Sequence, residues 1–352
     1  MMGERILIDE ENVAGYLVSK GFAGREQDVQ VTRLGGKWGT MGVSSTLLKV
    51  ELPDASYVLK QPMPNLAVKD DWPADPDRIF MEERCIETLS EMFGRDMVPQ
   101  VVFVDRDNYI GMFTYIPPDW VLWKRHLLDG KVDHRIAVKV GEILAHIHNE
   151  THMDPKMAAR FAENRIFLQL RVDPYYNTIA RRVPEVRDLV LAEVERVLST
   201  KIVLVHGDYS PKNVLVNGTD IVLLDHEIAH WGEPTPDFSF CLSHLSLKFI
   251  HMSMEATKVR YEYLDTIKKF SGAYADNITF WDRDQLNKVA VRGLGCFILA
   301  RIDGKSPVEY ISRDDTWNVG RRISKRLILD PHPTLEEAYD FMAEELKREG
   351  LS

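Results

Sequence analysis

Two acids and an amide stand at an informative spacing in the second half of the chain. Asp208 closes the triplet His206-Gly207-Asp208, and Asn213 follows five residues later. An Asp and an Asn at this offset, on a loop leaving a strand, can converge on one metal–nucleotide centre. The Asp accepts a hydroxyl proton and the Asn amide oxygen binds Mg2+. Asp225 and Glu227 come next, in the run IVLLDHE. In an extended strand their carboxylates point to the same side, and Mg2+ prefers such hard oxygen ligands. Taken alone, the HGD triplet fits equally well a β-hairpin with surface acids and a turn Asn. Triplet, Asn, hairpin and DxE pair together favour chemistry.

The first half offers the complementary parts. Phosphoryl transfer needs phosphates held in place as well as metal and base. Lys60 ends the apolar run YVLK. A lysine on a strand reaches α- and β-phosphates when a carboxylate fixes it, and Glu82 on the following helix is the expected partner, with Glu83 the alternative. Upstream lie Gly35, Gly36, Gly39 and Gly42, followed by Ser44, Ser45 and Thr46. Glycines let backbone amides approach phosphates closely. The spacing matches neither GxGxxG nor GxxxxGK[ST], so a plain β-turn fits it too.

These residues need elements to carry them. Residues 8–21 read as a short amphipathic helix ending at Gly21. Residues 31–52 read as strand, Gly-rich turn and strand, and 56–61 as a further strand after the turn at Pro53-Asp54. The proline-rich stretch 62–76 reads as a loop. A helix is expected from Pro76 to Phe93, with Ile79, Ile86 and Leu89 at apolar positions. A strand pair follows at 98–105 and 108–116, stopped by Pro117-Pro118. The remainder is helical in pattern, at 134–151, 156–170, 185–199, 240–272, 283–301 and 335–349. Between these helices, 202–208 and 221–227 read as short strands facing each other across Asn217-Gly218. The expected architecture is α+β: a small β-rich lobe, 1–116, a hinge near 112–118, and a larger mainly helical lobe, 117–352.

Composition excludes several classes. With 54 Asp and Glu against 44 Lys and Arg, the formal net charge is −10, which argues against a broad nucleic-acid surface. An acidic surface favours, weakly, a cationic substrate. Cys85, Cys241 and Cys296 lie far apart, form no zinc motif, and fit free thiols in a reducing cytoplasm. Acids interrupt the first apolar residues, unlike a signal peptide. No apolar run approaches the roughly 18–20 residues of a membrane span.

Other polar residues have structural as well as functional readings. Asp237 either caps the next helix or hydrogen-bonds the backbone of the loop bearing Asp208. His146 and His148 do not share a helix face, so core packing or a hydrogen bond is expected rather than a metal pair. Arg301, Asp303, Lys305, Arg321 and Arg322 are candidates to face a cleft, and the Arg pair could contact a phosphate or substrate oxygen. Trp120, Trp123, Trp231 and Trp317 could wall a pocket or simply pack.

HGDYSPKNVLV followed by LLDHE resembles the aminoglycoside phosphotransferase and choline kinase-like superfamily. The motif order covers most of the chain: Gly-rich hairpin, strand Lys, helix Glu, hinge, GEILAHIH helix, HGDxxxxN, DxE and an Asp after GEPTP. Within it, KQPMPNLAVKDDWPADPDRIFMEE looks like the small lobe of 5-methylthioribose kinases. That register selects Glu82 over Glu83, and Arg321-Arg322 resembles the paired arginines of those kinases. Asn213, in contrast, is the residue of aminoglycoside phosphotransferases, and RIDGKSPVEY, at 301–310, belongs to neither signature. The resemblance implies a two-lobed protein-kinase-like fold and ATP–Mg2+ chemistry on a hydroxyl of a small sugar-like molecule. In that reading Asp208 is catalytic, Asn213, Asp225 and Glu227 are metal residues, and Lys60, Glu82, Gly35, Gly36, Ser44, Ser45, Phe113 and Tyr115 serve the nucleotide, the last two through backbone groups at adenine. Arg321, Arg322 and Trp231 are assigned to the acceptor. A 5-methylthioribose-like pentose leads and an aminoglycoside follows. A nucleotide-binding protein without transfer activity is the reading from another class. The short span between the DxE pair and Asp237 leaves little room for a peptide-docking segment. A cytoplasmic monomer or homodimer, without nucleic-acid or membrane partners, is expected.

Overall fold

The computed structural model describes residues 5–35, 44–255 and 260–349. Gly36, Gly39 and Gly42 therefore lie outside the described residues. The chain divides into two compact units, and the division is not two contiguous segments. The first is 1–120 together with 222–228; the second is 121–221 with 229–352.

The first unit is built on a five-stranded antiparallel sheet in the order β1-β2-β3-β5-β4. Its strands are β1 (Gln30–Arg33), β2 (Ser45–Glu51), β3 (Ser56–Pro62), β4 (Val101–Asp105) and β5 (Ile110–Thr114). One face carries Leu48, Val50, Leu59, Ile110 and Met112, packed against Val13, Tyr16 and Leu17 of helix α1 (Val13–Ser19). Side chains alternate along a strand, so Lys60 points away from that core. Its register neighbours are Leu47 on β2 and Gly111 on β5. Helix α2 (Arg78–Phe93) buries Ile79, Glu82, Ile86 and Leu89, at offsets of three, seven and ten residues. Glu82 thus occupies the apolar stripe, and Glu83 falls beside it.

The second unit is mainly helical. Its helices are α3 (Trp123–Leu128), α4 (His134–Thr151), α5 (Pro155–Arg160), α6 (Arg165–Phe167), α7 (Thr178–Arg182), α8 (Arg187–Ser199), α9 (Thr235–Glu255), α10 (Arg260–Asn277), α11 (Arg283–Asp303), α12 (Asp314–Leu329) and α13 (Leu335–Arg348). The expected single helix over 240–272 is two, α9 and α10; apolar periodicity on both sides hides where one ends. The expected helix over 156–170 is also broken. A π-helical stretch, Leu168–Asn177, joins α6 to α7 and contains Pro174, which has no N–H to complete an α-helical ladder. Helices α3, α7 and α12 lie outside the expected helical stretches.

The strand reading needs one correction. A short strand, β6 (Val121–Leu122), precedes α3, and the next strand, β7 (Val203–Val205), does not face 221–227. It pairs with β10 (His230–Gly232), with Val205 opposite His230. The turn at Asn217-Gly218 instead joins β8 (Val214–Asn217) to β9 (Asp220–Leu223), and Gly218 takes the left-handed φ of 59° that such a tight turn requires. A two-residue turn connects the strands directly flanking it, so VLVN, not IVLV, is the partner of DIVL. Among the described residues no helix is long and apolar enough to cross a membrane.

Candidate active site

In the first unit, Lys60 is the centre of a buried ion cluster. The residue is 6% exposed. Its Nζ lies 2.7 Å from Glu82 Oε2, 2.6 Å from Asp225 Oδ1 and 3.2 Å from Glu227 Oε2. Glu83 is elsewhere, paired with Arg106. The two carboxylates of the DxE pair meet Lys60, yet not through strand pleating. β9 ends at Leu223, and Asp225 sits at a left-handed φ of 64°, a conformation that Asp tolerates better than most residues. A turn rather than alternation brings the two carboxylates together.

Arg78 completes the cluster and was not singled out in the sequence. It is fully buried at the start of α2. Its Nη1 donates to Ala74 O and Asp75 O, and its Nη2 to Ser44 O and Met63 O. Its Nε lies 3.3 Å from Glu227 Oε2. One guanidinium therefore ties Ser44, the β3 end, the α2 entry and Glu227 together. Ser45, also buried, opens β2. Gly35 has φ 145°.

Among the described residues, Glu82, Asp225 and Glu227 stand against the cations Lys60 and Arg78. Burial pushes the Glu82 carboxyl up to about 7; Lys60 opposes the rise, and Asp225 and Glu227 add to it. Burial works against the Lys60 ammonium, but the same carboxylates hold it well above the usual range. Glu82, Asp225 and Glu227 each offer an oxygen within 4.8 Å of the others, and such a hard oxygen donor set fits a divalent cation. Asp225 is the accessible member, its side chain 26% exposed against 3% for Glu227. Phe113 is buried on β5, and Tyr115 lies just beyond it with Lys49 over its ring.

In the second unit the loop after β7 is held by Asp237, on the first turn of α9. Its Oδ2 accepts from His206 N at 2.6 Å and its Oδ1 from Gly207 N at 2.8 Å. Of the two structural readings of Asp237, the loop tether is the one observed. Gly207 has φ 79°, which lets the chain reverse there. His148 on α4 supports the arrangement: Nδ1 bonds Tyr274 Oη at 2.8 Å, and Nε2 is 3.5 Å from Asp237 Oδ2. His146 is exposed on another face.

The loop presents Asp208, 2% exposed. Its carboxylate is paired with Arg171, from the π-helical stretch, and with Lys212 Nζ at 2.6 Å. Asn213 Nδ2 donates to Asp208 O at 3.0 Å, committing the amide nitrogen inward. Lys212 was legible in principle, four residues after Asp208. Arg171 had no sequence signal, because only the fold brings it to Gly207 O and Asp208.

The residues assigned to the acceptor have different surroundings. Trp231 is buried in β10, its amide bonded to Phe161 O. Arg321 forms a two-pronged pair with Asp303 and lines a surface cleft of about 540 Å³ with Arg182 and Lys325. Arg322 pairs with Glu345 and Glu349 instead.

A five-stranded sheet with a buried Lys–Glu pair, followed by a larger helical part bearing an HGD loop, defines a protein-kinase-like fold. The chain belongs to the phosphotransferase enzyme family APH, whose model matches residues 42–266. It is 25% identical over 228 residues to methylthioribose kinase of Escherichia coli O45:K1 (strain S88 / ExPEC), covering 57% of this chain and 54% of that protein. The chain thus spans about half the length of the curated relative it matches. Amicoumacin kinase hAmiN, solved with AMP-PNP, Ca2+ and Ami, shares the fold with TM-score 0.55 at 14% identity, over 89% of this chain and 92% of that one. Macrolide 2′-phosphotransferase MphH from Brachybacterium faecium aligns with TM-score 0.48 at 15% identity, over 92% and 99%.

Proposed function

We propose that this phosphotransferase is a small-molecule kinase that moves the γ-phosphoryl group of ATP to a hydroxyl of a sugar-like acceptor. The buried Lys60–Glu82–Asp225–Glu227 cluster is the observation that carries this reading. Lys60, fixed by Glu82, holds nucleotide phosphates. Asp225 is a metal residue of the first unit, and Asn213, by its amide oxygen, a metal residue of the second. Glu227 is sealed between Lys60 and Arg78, which suits fixing Lys60 better than direct ligation. A bound divalent cation, Mg2+ by preference for such oxygens, neutralises phosphate charge. Asp208 orients the acceptor hydroxyl and takes its proton, while Arg171 and Lys212 hold the carboxylate in place.

The relative that phosphorylates methylthioribose supports a pentose-sized framework. A coupled ADP-release assay with ATP and Mg2+ against pentoses, hexoses, polyols, amino sugars and aminoglycosides tests the reading. Acceptor-dependent ADP release is the expected result; none with any hydroxyl compound overturns it.

A further inference from the structure

The segment 301–310, which lies outside the residues the family model matches, builds a second feature of the helical unit. Arg301 lies in the last turn of α11, and Ser306, Glu309 and Tyr310 follow in the connection to α12. They surround basic side chains from other helices: Lys124 of α3, and His244 and Lys248 of α9. All four bases are buried, with Lys248 at 0%, His244 at 2%, Lys124 at 4% and Arg301 at 6% exposure. Lys248 Nζ donates to His244 O at 3.2 Å and lies 5.3 Å from the centre of the Tyr310 ring. Arg301 Nη1 donates to Ser306 Oγ at 2.8 Å and Tyr175 Oη at 3.3 Å. Lys124 pairs with Glu309.

The charges do not balance. Among the described residues, Glu309 is the one carboxylate in an ion pair with these four bases. Both ring nitrogens of His244, Arg301 Nε and Tyr310 Oη are buried without a hydrogen-bond partner. Burying cations without counter-charge is costly, and interiors leave few polar atoms unmatched. The strain shows electrostatically. Burial, then Lys124, brings Lys248 down to about 7, with Glu309 opposing and Arg301 adding. Burial and four neighbouring cations drive His244 well below its usual range.

This cluster is connected to Asp208. Arg171, which pairs with Asp208, lies 5.3 Å from the Tyr175 ring and 5.1 Å from the Phe240 ring. Tyr175 is the residue Arg301 bonds, and the Phe240 ring packs 4.7 Å from His244.

We infer that Lys124, Lys248 and Arg301 bind an oxyanion carried by the acceptor, so that the substrate is an acidic polyol, a sugar acid or a sugar phosphate. This rests on the kinase reading and narrows it. The net charge of −10 suggests a cation, but local buried charge outweighs a global count. The acceptor oxygen forms the new P–O bond as the bond from the γ-phosphorus to ADP breaks, and the hydroxyl proton leaves through Asp208. The oxyanion anchors the acceptor and takes no part in the exchange.

Acceptors that differ in one group test this: aldonates and sugar phosphates of five and six carbons, each against its neutral alditol, with aminoglycosides as the cationic arm. The expected result is an acid whose kcat/KM exceeds that of its neutral partner by about 100-fold, the scale of a buried charge pair. Lys248→Met and Arg301→Gln should each raise its KM by about 30-fold or more, with a smaller change in kcat. Preference for aldonate or for phosphate names the oxyanion. A neutral or cationic best acceptor, or both variants within threefold of wild type in KM, overturns the inference. If no compound releases ADP, the kinase reading fails, and the anion site is read separately by melting in millimolar inorganic phosphate. Stabilisation of the wild type that both variants lose supports the site; no stabilisation of the wild type sinks it. Without anion, each variant should melt at or above the wild-type temperature, because an apolar or neutral replacement relieves surplus buried charge. A fall in both marks the side chains as structural props and contradicts the inference.

Discussion

Lys60 Nζ lies 2.6 Å from Asp225 Oδ1 although 165 residues separate them in the chain. The contact is possible because 222–228 clusters with the sheet unit and because Asp225 adopts a left-handed backbone. Lys60 has two further carboxylates, so Lys60→Met removes the charge at the centre of the cluster. Turnover should fall by about 100-fold or more, the scale of losing one preorganised electrostatic group, and kcat/KM for ATP should carry the loss. Steady-state kinetics check this; values within threefold of wild type would remove Lys60 from the phosphate role.

Glu82 makes stability depend on pH. Its carboxyl rises from 4.5 to about 7 in the folded state through burial, so the folded protein binds that proton more tightly than the unfolded chain does. The contribution is fully present below about pH 4.5 and is lost as pH rises through about 7. Glu82→Gln should flatten this part of the profile, measured as urea-unfolding free energy across the window. Glu83→Gln, which touches only the exposed Arg106 pair, should leave the slope unchanged. Parallel profiles for wild type and Glu82→Gln would contradict the assignment.

How far these parts were legible in the sequence differs by residue. The order of strand Lys, helix Glu, HGD loop and DxE pair fixes the fold class, since each sits at the end of a recognisable element. Glu82 could be chosen from its place in the Ile79–Ile86–Leu89 stripe alone. The strand partnership of 202–208 was misread because β pairing depends on the turn, and VLVN was overlooked beside the Asn-Gly pair. Arg171, Lys248 and His244 carry no motif, and Arg78 enters only within the small-lobe resemblance. Their roles arise from tertiary neighbours tens of residues away, which periodicity cannot show. Trp231 was suggestive by type, yet β10 packs it inside.

Asp237 acts on Asp208 through the backbone. It satisfies two buried N–H groups of the loop, and Asp237→Ala leaves both unpaired. Each unmade bond costs about 1–3 kcal/mol, so a loss of roughly 2–6 kcal/mol in unfolding free energy is expected. Asp237→Asn keeps the size and one acceptor, and should fold while losing about 10–100-fold in kcat through misplacement of the loop. Denaturation and saturating kinetics together test this; normal kcat in a folded Asn variant would refute the tether.

Asp225 is the accessible carboxylate of the cluster. Asp225→Asn should raise the Mg2+ concentration for half-maximal turnover by about tenfold or more, since Mg2+ sites rest on one or two carboxylates. Chelation of divalent ions should abolish wild-type turnover reversibly. An unchanged metal dependence in Asp225→Asn would place the ligand elsewhere.

The central claim is that Asp208 positions the hydroxyl that receives phosphate. Asp208→Ala, assayed with the best acceptor alongside calorimetric titration with ATP–Mg2+, tests it most directly. The expected result is a turnover loss of about 10²–10⁴-fold with ATP affinity within threefold of wild type. Turnover within a few-fold of wild type would contradict the account.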